Sequence, residues 1–153
     1  MVHPLGLLQS SVESSSMSGA GSALERFFRD YAIASVESPA ARLPAFYAGS
    51  FVAAGPRGSA VFKNDEKFVE WLGQVHEFNQ RTGMVSMEIV SIEEPLSLSS
   101  RHLLVSVHCG ARFRRTGDRL IPFRIAYLLE KVADTWRILA YISESDQEEE
   151  MRA

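Results

Sequence analysis

Residues 101–113 read Arg-His-Leu-Leu-Val-Ser-Val-His-Cys-Gly-Ala-Arg-Phe, and their alternation decides the fold. Leu103, Val105, Val107, Cys109, Ala111 and Phe113 fall on one side of an extended chain. His102, Leu104, Ser106, His108, Gly110 and Arg112 fall on the other. A period of two marks a strand with one greasy and one mixed face, because successive side chains point opposite ways. Arg115-Thr116-Gly117-Asp118 supplies a turn, with Gly117 free to take positive φ. The next run repeats the pattern, with Ile121, Phe123, Ile125, Tyr127 and Leu129 opposite Leu120, Pro122, Arg124, Ala126 and Leu128. Pro122 has no N–H to donate, so a bulge or an unpaired position is expected there. Lys131 to Asp134 forms a second turn. Thr135 to Ser143 then sets Trp136, Ile138, Ala140 and Ile142 against Arg137, Leu139, Tyr141 and Ser143.

Working back from these strands, the first half of the chain reads as helices that cover one face of the sheet. Ser22-Ala23-Leu24-Glu25 has the form of a capping box, and Leu24, Phe27, Phe28, Tyr31 and Ser35 follow at helical spacing. Ser38-Pro39 ends that helix. A second, shorter helix is expected over Ala41 to Ala48, burying Leu43, Phe46 and Tyr47 and closing at Gly49. Phe51 to Ala54 reads as a short strand. Gly55-Pro56-Arg57-Gly58 is a loop, and without a following lysine or an immediate helix it is no phosphate cradle. Asn64 is the expected cap of a third helix whose stripe is Phe68, Trp71, Leu72, Val75 and Phe78, ended by Gly83. Val85 to Ile92 is a strand whose phase slips after Ile89, which signals a bulge. Helices first and antiparallel strands afterwards make an α+β domain.

A chain of 153 residues is one domain's length. The division expected is a disordered tail over 1–21, a folded domain over 22–146 and an acidic tail over 147–153. Met17 stands as an alternative start. Pro4 to Leu8 is too short for the apolar core of a signal peptide, and no run reaches transmembrane length. One cysteine excludes an internal disulfide and suits a reducing cytoplasm. A net charge of −3 gives no reason to expect nucleic-acid binding. Arg112, Arg114, Arg115 and Arg119 crowd one hairpin tip, as a solvated tip or as a contact for the acidic Glu148 to Glu150.

Phe27-Phe28-Arg29-Asp30-Tyr31 in the first helix, Ala45-Phe46-Tyr47-Ala48 followed by Phe51-Val52, and the final-strand Trp136-Arg137-Ile138, taken with the element order, carry a family resemblance. Over Ser22 to Ser143 the chain resembles the nuclear-transport-factor-2-like superfamily, which includes SnoaL-like polyketide cyclases, ketosteroid isomerases and scytalone dehydratase. The resemblance implies a cone-shaped, cystatin-like fold whose curved sheet holds a pocket closed by the helices. Phe28, Tyr31, Tyr47, Trp71, Val75, Cys109, Phe113, Phe123 and Tyr127 are then expected to line it. Such a pocket suits a small, flat, apolar molecule, and no cofactor. The same residues at the same spacing also suit a plainly packed core, and both readings stand at this point.

For catalysis the resemblance implies a tyrosine on the first helix and an aspartate just ahead of a proline. Tyr31 takes the first position, but Gly55 precedes Pro56 where the aspartate belongs. Proton abstraction beside a carbonyl lacks its base there. The remaining acid–base candidates are Tyr31, His76 and Tyr127. His102 and His108 are too far apart on one strand to chelate, so no metal site is expected. The mixed face carries Ser106, His108, Arg124, Leu139 and Tyr141, a composition that suits a homodimer contact. Three functions follow: a ligand-binding protein, an enzyme acting on an apolar ring, or a dimerisation module.

Overall fold

The structure is a computed structural model that describes residues 10–36, 42–117 and 119–145, with side chains described from Ser22 onward. Helix α1 spans Ser10–Val36. A short 3-10 turn, Leu43–Phe46, leads into strands β1 (Tyr47–Gly55) and β2 (Gly58–Lys63). Helix α2 spans Glu66–Thr82, followed by β3 (Met84–Ile92), β4 (Leu96–Ser99), β5 (His102–Phe113), β6 (Leu120–Val132) and β7 (Thr135–Ser143). The two helices lie on one face of a seven-stranded sheet of order β2-β1-β7-β6-β5-β3, with β4 paired to β5. Every pairing is antiparallel except β1 with β7.

Several expectations are corrected. The first helix begins at Ser10, not at Ser22, so the boundary expected after Gly21 is not a helix start. The stretch between has no proline to stop a helix. With no helix end at Ser22, Glu25 has no cap to reach back to and pairs with Arg29 at 2.9 Å instead. The expected second helix shrinks to the 3-10 turn, because Pro44 sits inside it and the chain turns extended at Tyr47. Asp65, not Asn64, caps α2, accepting from the Lys67 and Phe68 N–H groups at 3.0 and 3.2 Å. The Asn64 amide instead donates to the Pro44 and Tyr47 carbonyls at 2.7 and 3.2 Å, tying the turn to β1. Gly83 closes α2 at φ +79°, in the left-handed region that glycine takes at least cost. The acidic tail expected at 147–153 lies outside the described residues.

The central hairpins follow the alternation. Residues Leu103 to Ala111 pair in unbroken register with Leu129 to Ile121. The turn between β6 and β7 holds Ala133 and Asp134 at φ +48° and +65°, the paired positive values of a tight hairpin. Pro122 sits opposite Gly110 without a register shift, so the expected bulge is absent there. The β6–β7 pairing ends at Ile125 with Ser143, which leaves Pro122 a neighbour on one side only and a place for its missing N–H. The slip read after Ile89 is a true bulge, between Ile89 and Ser91.

A second bulge redirects β7. Leu129 pairs with Ile138 but Leu128 pairs with Ala140, so Leu139 is the extra residue. Beyond it the strand changes phase: Tyr141 pairs with Tyr127 on the inner face, and Ile142 pairs with Ala126 on the outer.

Candidate functional site

The chain contains 4 tyrosines, and all of them meet under the helices. Tyr31 comes from the inner stripe of α1, Tyr47 from the first residue of β1, Tyr127 from the middle of β6, and Tyr141 from β7 past its bulge. Their rings touch at centroid distances of 5.9 Å (Tyr31–Tyr47 and Tyr31–Tyr127), 6.2 Å (Tyr127–Tyr141) and 6.5 Å (Tyr47–Tyr141). The Tyr31 and Tyr47 hydroxyls are hydrogen-bonded to each other, and the Tyr127 ring packs edge-on against Tyr31. Burial pushes Tyr31, Tyr47 and Tyr127 well above the ordinary phenol value, and raises Tyr141 less. The single Tyr31–Tyr47 bond uses one O–H proton, so hydroxyl protons of the trio remain for another acceptor.

Beside the tyrosines lies a cavity of about 730 Å³. Its roof is α2, through Trp71, Leu72, Val75, His76 and Phe78. Its wall on the β1–β2 side is an aromatic ladder, in which Phe62 stacks on Phe51 at 5.4 Å and lies 5.2 Å from Trp71. Its floor is Phe123, Ile125, Tyr127 and Tyr141. The mouth is framed by the β1–β2 turn, from Gly55 to Gly58, with Ser143 and Ser145. Among the described residues the lining holds no carboxylate. His76 Nε2 is buried and without a hydrogen-bond partner, although a buried polar atom is normally paired.

The structure divides the residues singled out from the sequence. Tyr31, Tyr47, Trp71, Val75, Phe123 and Tyr127 border the cavity. Phe28, Cys109 and Phe113 do not; they are packed solid, at 0%, 2% and 0% exposure. Phe28 sits against Phe27 and Tyr127, where α1 presses on the sheet and leaves no space. Burial pushes the Cys109 thiol up to about 12, which removes it as a nucleophile near neutrality. Gly55 borders the mouth, so the position that lacks its aspartate does face the cavity. Phe62, Met84 and Met87 also contribute to the lining and were not singled out. Phe62 belongs to β2, a strand with no clear alternation in sequence, and the methionines carry no chemical signature.

On the outer face, His108 Nε2 lies 2.6 Å from Glu93, and Arg124 bridges Glu93 at 3.2 Å to Glu144. The hydrogen bond with His108, then the Arg124 charge, hold the Glu93 carboxyl below its usual range. His102 is separately engaged, with Ser99 at 2.7 Å and Glu130 at 3.5 Å. Ser106, His108 and Arg124 face outward as expected, but Tyr141 faces the cavity because of the Leu139 bulge. The register also aligns an apolar row across the outer face: Leu96, Leu104, Leu128, Ala140, Val52 and Val61 are successive cross-strand partners. At the hairpin tip, Arg112 pairs with Glu88 at 3.0 Å and Arg115 lies 4.5 Å over the Phe113 ring. No group of His, Cys, Asp and Glu among the described residues is arranged to hold a metal, and none of their helices is long and apolar enough to cross a membrane.

The family model described as NTF2-like protein (DUF6841) matches residues 21–146. No curated protein matches the chain at a significant level. Among solved structures it is similar to an NTF-2 like protein of unknown function from Shewanella oneidensis, with 12% identity, 82% of this chain and 99% of that one covered, and a TM-score of 0.63. It is also similar to a putative scytalone dehydratase from Novosphingobium aromaticivorans, with 15% identity, 86% and 88% covered, and a TM-score of 0.57. A ketosteroid isomerase-like protein from Erwinia carotovora atroseptica shares 23% identity over 80% and 93% of the two chains, at a TM-score of 0.52. At these identities the likeness is one of fold.

Proposed function

The chain belongs to the NTF2-like proteins, and on that premise we propose that it binds a small, flat, largely apolar molecule in the cavity beneath α2. The observation that carries this reading is the junction of an aromatic-walled space with a buried tyrosine cluster at one end. A space of about 730 Å³ lies within the range of pockets for small ligands, and its walls combine packed aromatic rings with aliphatic and methionine side chains. A hydroxyl proton of the tyrosine trio not used in the Tyr31–Tyr47 bond suits a carbonyl or hydroxyl oxygen on the ligand. His76 Nε2, buried without a partner, suits a second polar atom.

A binding role is favoured over proton-transfer catalysis. The described lining offers no carboxylate, and its tyrosines are held protonated far above neutrality. An enzyme acting on an apolar ring would have to rely on His76 as its base, with the tyrosines as hydrogen-bond donors. The test is a thermal-shift and tryptophan-fluorescence titration with naphthalenemethanol and a panel of fused-ring ketones. A ligand at a hundred times its Kd stabilises by about 2.7 kcal/mol, which raises Tm by roughly 5–10 °C in a domain this size. No shift and no quenching across the panel would overturn the reading. A slow, His76-dependent conversion of a ketone in the same panel would favour the enzyme.

We infer also that two copies pair through the outer face of the sheet, where the row from Leu96 to Val61 is bordered by the Glu93–His108–Arg124 charges. Leu96 and Val61 are 57% and 77% exposed in the single chain, an unusual state for a continuous apolar row. Sedimentation of the Leu104→Asp and Leu128→Asp variants checks this. The wild type is expected to sediment as a dimer and both variants as monomers, and a monomeric wild type at micromolar concentration removes the idea.

A further inference from the structure

We infer that the ligand is a ring alcohol or phenol that seats its hydroxyl against the roof helix, between His76 and Asn79, with its ring body against Trp71 and Phe62. This deepens the ligand-site reading above and rests on it. His76 and Asn79 both border the cavity, and they stand three residues apart on α2, which makes them neighbours on one face of the helix. Leu72 and Val75 share that face, so the two polar groups are set among apolar ones. His76 Nε2 is shut from solvent and has no hydrogen-bond partner. A buried polar atom left unpaired costs more than an ordinary hydrogen bond gains, and a ligand group that pairs with this nitrogen displaces no water from it. The imidazole presents Nε2 to the ligand by turning about its Cβ–Cγ bond, a torsion with broad minima.

The chemistry of the two side chains selects the ligand group. A neutral imidazole nitrogen donates or accepts according to its tautomer, and a carboxamide does both. A hydroxyl also does both, so it pairs with His76 in either tautomer and turns its remaining donor or acceptor to Asn79. A ketone, ether or carboxylate only accepts, and an ammonium only donates, so each fails one tautomer. An ammonium would also lose hydration in a space whose described lining holds no Asp or Glu. The tyrosines come from α1, β1, β6 and β7, so the polar pair on α2 is a second anchor on a different wall. The ligand is then a flat apolar body with a hydroxyl on the edge that faces α2.

Two probes on one ring system separate the outcomes: naphthol and its methyl ether, methoxynaphthalene, titrated into the full-length chain by calorimetry and tryptophan quenching. Naphthol is expected to bind about tenfold more tightly than the ether, the gain from pairing a buried polar atom. The ratio of the two affinities is the readout, because a change in packing alone moves both probes together. His76→Leu is expected to bring that ratio down to about twofold or less, and Asn79→Leu to about threefold. The second variant carries the test if the first folds poorly. A ratio that survives both substitutions overturns the inference. So does a ratio that collapses only in Tyr47→Phe, which puts the hydroxyl at the tyrosines instead. If the ether binds as tightly as naphthol, the hydroxyl preference fails while the ligand site stands. If neither probe binds, both fail together.

Discussion

The two halves of the space beneath the sheet are built from similar residues and end differently. Under α1, the side chains of Leu24, Phe28, Val107, Ala111 and Phe113 are 0–1% exposed and close-packed. Under α2, Trp71, Phe62 and Tyr141 stay partly exposed around a cavity. Both halves have aromatic and aliphatic residues at the correct period, so composition does not separate them. Helix placement does. The inner stripe of α1 carries Leu24, Phe28 and Tyr31 down onto the sheet beside β3. By contrast α2 rests on β2 and β3, the two edge strands, and spans the ground between them. A helix that bridges two edges of a bent sheet leaves a hollow, and one that lies along its strands fills it.

The sharpest way to break this comparison is to truncate one large ring in each half. Phe28→Ala is expected to cost about 3–5 kcal/mol, because the walls of the solid half cannot collapse into the void. Trp71→Ala should cost about half of that or less, since its ring already borders open space, while abolishing the binding of ring probes. Urea denaturation of the two variants reads the difference directly. Equal losses would mean that both halves are packed alike and that the cavity is not a standing feature of the fold.

The tyrosines sit where the two halves meet, and pH sharpens their part. Tyr31, Tyr47 and Tyr127 have folded values raised above the unfolded value of about 10, chiefly by burial. Below pH of about 10 both states hold their protons and the stability contribution is complete. As pH rises further the unfolded chain ionises first, so stability falls by about 1.4 kcal/mol per unit for each such group. Cys109, raised from 9.0 to about 12, adds to the slope from slightly lower pH. Urea midpoints taken from pH of about 9 to about 11.5 should therefore drop steeply once pH passes about 10, and Tyr47→Phe should remove about one proton's worth of that slope. An unchanged slope in Tyr47→Phe would show that this hydroxyl is free to ionise in the folded state.

How much of this was legible depended on whether alternation ran unbroken. From Leu103 to Phe113 and from Ile121 to Leu129 it did, and every residue read as facing inward there is buried except the half-buried Leu103. The family was legible for the same reason, because element order and aromatic spacing survive without any catalytic motif. Tyr141 was misplaced by one inserted residue: in a strand, a bulge at Leu139 is a change of face, and nothing about Leu139 as a residue announces it. β2 was missed because Gly58-Ser59-Ala60 gives no period, yet it supplies Phe62 to the site. The hollow was beyond reach for a different reason. Whether Phe28 and Trp71 pack or line a space is set by how two helices lie across a sheet, which neither residue's local sequence encodes.

The smallest of these tests falls on the helix that roofs the hollow. Of the side chains of α2 only Phe68 and Leu72 are buried, so this helix depends more on its ends than α1 does. Asp65 holds the first turn by accepting from the Lys67 and Phe68 N–H groups, and its charge also suits the positive end of the helix. Asp65→Ala is expected to cost about 1 kcal/mol, with Asp65→Asn recovering most of it. Hydrogen exchange at Phe68 and Val69 should quicken well beyond that at Phe28, since opening the first turn of α2 need not disturb the solid half. A uniform rise at both sites would instead mean that roof and core open as one unit, and that the hollow does not weaken the coupling between them.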